Sequence, residues 1–337
     1  MNIILSADYE VFFGRNTGTV NKTLLEPSQL LCDMAARHGV PLVFFVDAGF
    51  LLRLREDGRR FPALMRDYER VMRQLQQFVA AGHEIQLHVH PHWEDSHWNG
   101  QSWDIDTRRY RLHDFDESEI RRIVCSYADI LRSVAGSEGV YAYRAGGWMI
   151  QPFTSIRQAL LDAGVFIDST IFVNGSSATI EYGCSFDFSN APLESHWFFD
   201  DDPLLNNPEG AFLEIPIASY RIPPLFYWRF VMAKKFGGDK HRSLSNGSAI
   251  PATRLQLLKK LTCWTSSVVS MDGYKASFLA DALRQYEQVG KTDFLVIGHP
   301  KALTPYSLQR LERFIVENRA NEFVGFGAYR GLLAGRK

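Results

Sequence analysis

Apolar runs of strand length alternate with longer stretches of helical spacing through the first half of this chain. Residues 2–7 form a nearly continuous apolar run, the pattern of a strand buried on both faces. Residues 28–38 have helical spacing and stop at Gly39, a good terminator. The pattern then predicts a strand at 41–46, an amphipathic helix at 64–81 ending at Gly82, and a strand at 84–88. Asp116 and Glu119 stand in capping-box spacing and open a helix that runs to residue 135. A strand at 140–143, a helix at 152–163 stopped by Gly164, and a strand at 165–168 follow. The rhythm returns late, with strand 292–298, helix 305–318 and strand 322–326. Such alternation implies right-handed βαβ units and a parallel sheet, so the expected class is α/β.

Two stretches break the rhythm. Residues 93–115 are rich in Trp, Asp, Arg and His, and residues 170–252 in Asn, Ser, Pro and aromatics. Both follow candidate active strands and are placed to wall a cleft. No internal repeat or interdomain linker is evident, and 337 residues are within reach of one α/β barrel with insertions. A single domain over 1–337 is therefore expected, with 93–115 and 170–252 as insertions near the cleft.

In parallel sheets, active residues collect at the C-terminal ends of strands. Asp8 with Glu10, His88 to His92, Arg144, Asp168 and His299 all fall at predicted strand ends. The two-residue period of a strand puts Asp8 and Glu10 on one side. His88, His90 and His92 lie in five consecutive residues, and imidazoles this close are the usual ligands of zinc-like metals. Pro91 argues against a strand continuing through them. A helical turn after His88 would bring His88 and His92 together at i, i+4 and point His90 away. His88 and His92 are thus the expected ligands, completed by a carboxylate of Asp8 or Glu10. Two His and one carboxylate leave open positions, as in zinc hydrolases and non-haem iron oxygenases. One divalent metal is expected, zinc first, with cobalt, nickel, manganese or iron as alternatives. Such a metal lowers the pKa of its water to about 7, and a nearby carboxylate can take the proton. His299, in Val296-Ile297-Gly298-His299-Pro300, is placed to protonate a leaving amine.

These residues resemble the polysaccharide deacetylase family, the NodB-homology or carbohydrate esterase 4 group. Ser6-Ala7-Asp8-Tyr9-Glu10 is similar to its opening motif, and Gly82 to His92 to its metal-binding segment. Tyr143-Arg144-Ala145-Gly146-Gly147 is similar to its arginine motif, and Leu295 to Pro300 to the late motif that carries the acid. The resemblance covers residues 1–170 and 290–330. It implies a distorted, incomplete (β/α)7-type barrel with two long insertions. It also implies a metal-dependent carbohydrate N-deacetylase in which Asp8 is the base, oriented by Arg144, and His299 is the acid. Glu10, His88 and His92 would hold the metal, with the choice between Asp8 and Glu10 as its carboxylate left open. Three features depart from the family pattern: Tyr9 separates the two acids, Gly146 stands where Pro is common, and no export signal is visible. The last favours a cytoplasmic enzyme acting on an intermediate of surface-polysaccharide biosynthesis. A hydrolase of a small cyclic amide, or a saccharide-binding protein with a lapsed site, are the alternatives.

Composition narrows the partners. The chain carries a net charge of −1 and no long basic run, which argues against nucleic acid as the main partner. A saccharide or lipid-linked saccharide is expected instead, with His90, Trp93, Gly146, Trp148 and Asp168 as candidate substrate contacts. Cys32, Cys125, Cys184 and Cys263 are far apart and read as buried free thiols. No apolar stretch reaches the roughly 20 residues of a membrane span. Residues 224–236, rich in aromatics with Arg229, Lys234 and Lys235, read as an insertion helix packed on the barrel or on a second subunit, or as a peripheral membrane contact.

Overall fold

The first strand, Asn2–Tyr9, is buried from Ile3 onward, which is why it reads as a run and not an alternation. It belongs to a computed structural model that describes residues 1–14, 16–179, 184–249 and 253–334. Residues 180–183 and 250–252 of the second expected insertion lie outside the described residues. The chain forms two compact units, each from separated segments: Met1–Val40 with Ile217–Val324, and Pro41–Pro216 with Gly325–Lys337.

In the first unit, Asn2–Tyr9 pairs in parallel with Asp293–Val296, from Asn2 opposite Asp293 to Leu5 opposite Val296. The short strand Glu322–Phe323 pairs with its start. The first strand runs two residues past its expected end, so Asp8 lies within it, and the Asp8 N–H donates to the Gly298 carbonyl at 2.8 Å. That bond ties the two strand ends that carry Asp8 and His299. Helix Glu26–His38 ends at Gly39, whose φ of 66° is the left-handed conformation glycine tolerates. Helix Pro305–Glu317 is capped by Thr304, whose hydroxyl accepts from the Ser307 N–H at 3.0 Å. An antiparallel hairpin of Ser219–Ile222 and Thr265–Val268 holds helices Pro224–Phe236 and Arg254–Thr262 between its strands.

In the second unit, the parallel strands Val43–Asp47, Glu84–Val89, Ala142–Ala145, Ile167–Asp168 and Phe212–Glu214 lie side by side in that order. Trp197–Phe199 joins antiparallel to Phe212–Glu214. The register sets Asp47 opposite His88 and His88 opposite Arg144, so three polar residues line up across adjacent strand ends. Helices Ala48–Gly58, Pro62–Ala80, Glu117–Ala135 and Thr154–Asp162 alternate with these strands. The expected capping box is present: Asp116 accepts from the Glu119 N–H, and Glu119 accepts from the Asp116 N–H. Phe44 stacks on Phe78 at 4.5 Å between centroids, seating Pro62–Ala80 on the sheet.

Three features differ from the sequence reading. Helix Ala48–Gly58 follows strand Val43–Asp47 with no loop; Asp47 caps it by accepting from the Phe50 N–H, so no turn residue marks the junction. Residues 170–252 are not a plain insertion, because Trp197–Phe199 and Phe212–Glu214 belong to the sheet of the second unit. These strands are three residues long, too short to show a period. Finally, Cys32 is buried as expected, but Cys125 is half-buried and Cys263 exposed; all three are free thiols.

Candidate active site

Asp8 sits near the end of the buried first strand and Glu10 just beyond it. Both side chains approach the same imidazole: His299 Nε2 is 3.7 Å from Asp8 Oδ2 and 3.6 Å from Glu10 Oε1. The shared side expected from strand periodicity is therefore present. Asp8, Glu10 and His299 each offer a ligand atom, and the three lie within 4.8 Å of one another.

Behind His299 stands Asp272, which the sequence reading missed. Its Oδ2 accepts from His299 Nδ1 at 2.7 Å, and its Oδ1 accepts from the His299 backbone N–H at 2.7 Å. A carboxylate only accepts, so the proton is on Nδ1 and Nε2 is turned toward the two acids. Burial works against charge on this ring, but Asp272, then Asp8 and Glu10, outweigh it and raise its pKa above the ordinary histidine value. Burial likewise works against charge on Asp272, yet the His299 charge and both hydrogen bonds hold its carboxyl below the ordinary value. Lys301, also missed, donates to Glu10 Oε1 at 2.9 Å and to the Val11 carbonyl at 2.8 Å. It follows His299-Pro300 directly, so its place beside the motif was visible in the sequence.

The histidine cluster belongs to the second unit. His88, His90 and His92 are all buried. His88 Nδ1 donates to the Arg144 carbonyl at 2.8 Å, because that carbonyl can only accept. Its Nε2 then carries the lone pair, the tautomer in which metal-binding histidines are usually held. The strand continues through Val89, and the helical turn begins only at Pro91, as Pro91–Glu94. His88 and His90 are thus two apart at a strand end, and their rings lie 4.7 Å apart. His90 does not point away: its ring is also 5.4 Å from His92. The expected divergence assumed a turn starting one residue after His88. His92 stacks on Tyr110 at 5.8 Å, with planes 11° apart.

The Arg144 guanidinium is buried and held by Ser169, through Nε to the carbonyl at 2.8 Å and Nη2 to Oγ at 3.1 Å. It also lies 4.0 Å from the centroid of the Phe45 ring. Gly146 has a steric cause. A Cβ there would stand 2.5 Å from the Val89 carbonyl oxygen and 2.6 Å from His90 Nδ1. No larger residue, proline included, fits without moving the histidine strand. Trp148 has φ of 63°, a left-handed conformation unusual for a bulky residue, and packs against Phe172 and Phe186.

Two of the expected substrate contacts are instead inside the packing. Trp93 is buried, donates from Nε1 to Asp47 Oδ2 at 2.7 Å, and packs on Phe50 and Trp103. Asp168 is buried beside Glu214, and accepts from Thr170 Oγ1 at 2.8 Å. Burial raises the pKa of both acids, and for Glu214 the Asp168 charge adds to it.

The residues present fit a divalent cation. Within the first unit Asp8, Glu10 and His299, and within the second the His88 tautomer with two further buried imidazoles, are donors of the kinds that zinc-like ions take.

No family model and no curated protein matches the sequence. Solved structures do match. A protein from Mycobacterium smegmatis assigned as a polysaccharide deacetylase is 14% identical, with 98% of this chain and 89% of that chain covered and a TM-score of 0.53. One from Pseudomonas aeruginosa PAO1 with the same assignment is 16% identical, with 99% and 90% covered and a TM-score of 0.49. PuuE allantoinase is 16% identical, with 96% and 86% covered and a TM-score of 0.47. At such identities likeness speaks to architecture alone, and it is the first of these that carries it. The chain has the α/β fold of the polysaccharide deacetylases, of the (β/α)7 type that its motifs imply.

Proposed function

We propose that the protein is a metal-dependent hydrolase that removes N-acetyl groups from a saccharide, an intermediate of surface-polysaccharide biosynthesis. The observation that carries this reading is the Asp272–His299 pair, with Nε2 of His299 turned toward Asp8 and Glu10. Amide hydrolysis needs a base for water and an acid for the amine, and neighbouring groups with divided proton affinities supply both. Asp8 takes a proton from the attacking water. His299, whose proton affinity Asp272 raises, gives its Nε2 proton to the departing sugar nitrogen as the C–N bond breaks. Water and amide become acetate and an amino sugar.

One divalent ion, zinc first, would be held by His88 and His92 with a carboxylate of Glu10 or Asp8. When bound it polarises a carbonyl oxygen and acidifies water. Glu10 is already ion-paired with Lys301, so a cation at Glu10 would share or displace that ammonium. His90, Gly146 and Trp148 are the proposed substrate-side residues. Trp93 and Asp168 serve packing and the buried acid pair.

The test is acetate release from an N-acetylglucosamine oligosaccharide, measured in chelator and after adding back zinc, cobalt or manganese. Acetate and free amine should appear in equal amounts, only with metal. Release in chelator at the full rate would remove the metal. Turnover confined to small cyclic amides would move the enzyme to that substrate class.

A further inference from the structure

The segment 221–264 holds nine of the chain's 37 basic residues and one of its 38 acidic residues. It is therefore +8, while the rest of the chain is −9. The same segment contains the helices Pro224–Phe236 and Arg254–Thr262, joined by a hydrogen bond from Trp228 Nε1 to the Leu261 carbonyl at 3.1 Å. Phe226 and Tyr227 face inward, with Phe226 against Tyr274 and Phe278, so the first helix is anchored. Its other side is not covered. Trp228, Met232 and Phe236 on one helix, Leu255 and Leu258 on the other, and Trp264 beyond them are 54–76% exposed. Arg254–Thr262 buries no residue at all, although it contains Leu255, Leu257, Leu258 and Leu261.

Scattered exposed apolar residues are ordinary, but aromatics and leucines gathered on two joined helices are not. From this face we infer that the protein docks on an anionic lipid surface through Pro224–Phe236 and Arg254–Thr262. Trp and Leu side chains partition into the interfacial layer, while Arg229, Lys234, Lys235, Lys259 and Lys260 meet lipid phosphates. The charge selects this occupant over a second copy of the chain, because a two-fold dimer would set the cations Arg229, Lys234, Lys235, Lys259 and Lys260 of one copy against the same cations of the other. Among the described residues no helix is long and apolar enough to cross a membrane, so the contact is peripheral. The inference does not depend on the deacetylase reading, and its test does not measure turnover.

The test is co-sedimentation of the full chain with vesicles of phosphatidylcholine alone and of phosphatidylcholine with phosphatidylglycerol. Binding is expected only with phosphatidylglycerol, should weaken as salt rises, and should shift tryptophan emission to the blue. Each basic residue near such a surface is worth about fivefold in partitioning, so Lys259→Glu with Lys260→Glu should weaken binding by at least about twentyfold. Leu255→Ser with Leu258→Ser should also weaken it; Leu255, Leu258 and Lys259 are exposed and Lys260 is half-buried over the Tyr227 ring, so the melting temperature of each variant is the control for folding. If a variant does not fold, the lipid-charge and salt dependence of the wild type decide alone. Equal binding to both vesicles, or to neither, overturns the inference. So does self-association that Leu255→Ser with Leu258→Ser abolishes without any vesicle binding, which would assign the face to a second copy.

Discussion

Replacing Asp272 by Asn isolates the charge behind His299 while keeping the size of the side chain. The carboxylate makes two 2.7 Å bonds to that residue, one to the ring and one to the backbone N–H. An amide has one oxygen, so it can keep one acceptor contact and must lose the other. Hydrogen bonds to a charged group contribute about 1.5–3 kcal/mol, which corresponds to about 10- to 150-fold in rate if the bond is strongest when the ring is protonated. The loss in kcat should approach, but not exceed, that of His299→Ala, where removing a general acid costs about 10²–10⁴. The pH profile separates charge from packing. Burial lowers the His299 pKa, and Asp272, Asp8 and Glu10 raise it further than burial lowers it. Removing Asp272 takes away its largest support, so the ring loses its proton at lower pH. The alkaline limb of the rate profile, where the acid becomes deprotonated, should move toward lower pH. The assay is acetate release across the neutral and mildly alkaline range, with melting temperature as the control for folding. A variant with wild-type kcat and an unmoved alkaline limb would refute the positioning role. A lowered melting temperature with an unmoved limb would leave Asp272 a purely structural part.

Other consequences follow from the buried neighbours. The pKa values of Asp168 and Glu214 are raised on folding, so neither contributes at pH below the unfolded values, about 4. As pH rises above that, the unfolded chain sheds protons that the folded pair keeps, and stability falls until the folded pKa values are passed. Glu214→Gln should flatten this fall in denaturant titrations; an unchanged slope would show that the pair does not hold its proton. Gly146→Ala forces a Cβ to within 2.5 Å of the Val89 carbonyl oxygen, so it should cost about 1–3 kcal/mol and disturb His90. A wild-type melting temperature in that variant would contradict the close approach. His88→Ala should lose metal and turnover together, checked by metal analysis of the purified protein.

The fold was legible where burial or capping leaves a long signature. The first strand reads as a run because both of its faces are covered, and the Asp116–Glu119 spacing is enough to mark where its helix begins. Helix Ala48–Gly58 was not legible, because Asp47 ends the strand and caps the helix at once. Within the site, Asp8, Glu10 and His299 were read from strand ends, and the two acids lie 3.7 and 3.6 Å from His299 Nε2. Asp272 was hidden for a local reason. Its neighbour Ser270 touches Ile297 through a single isolated bridge, so no strand announces an acid at that end. His90 was misjudged because the position of a helical turn, Pro91 and not Val89, depends on one residue of register. Glu214 sits in a three-residue strand that periodicity cannot resolve.

The proposed chemistry turns on Asp8 acting on water beside a bound cation. The most direct measurement is metal content and single-turnover acetate release in Asp8→Asn, read side by side with wild type. Metal near the wild-type ratio and acetate at background are expected. Acetate released at the wild-type rate from a metal-loaded Asp8→Asn protein would contradict this role of Asp8.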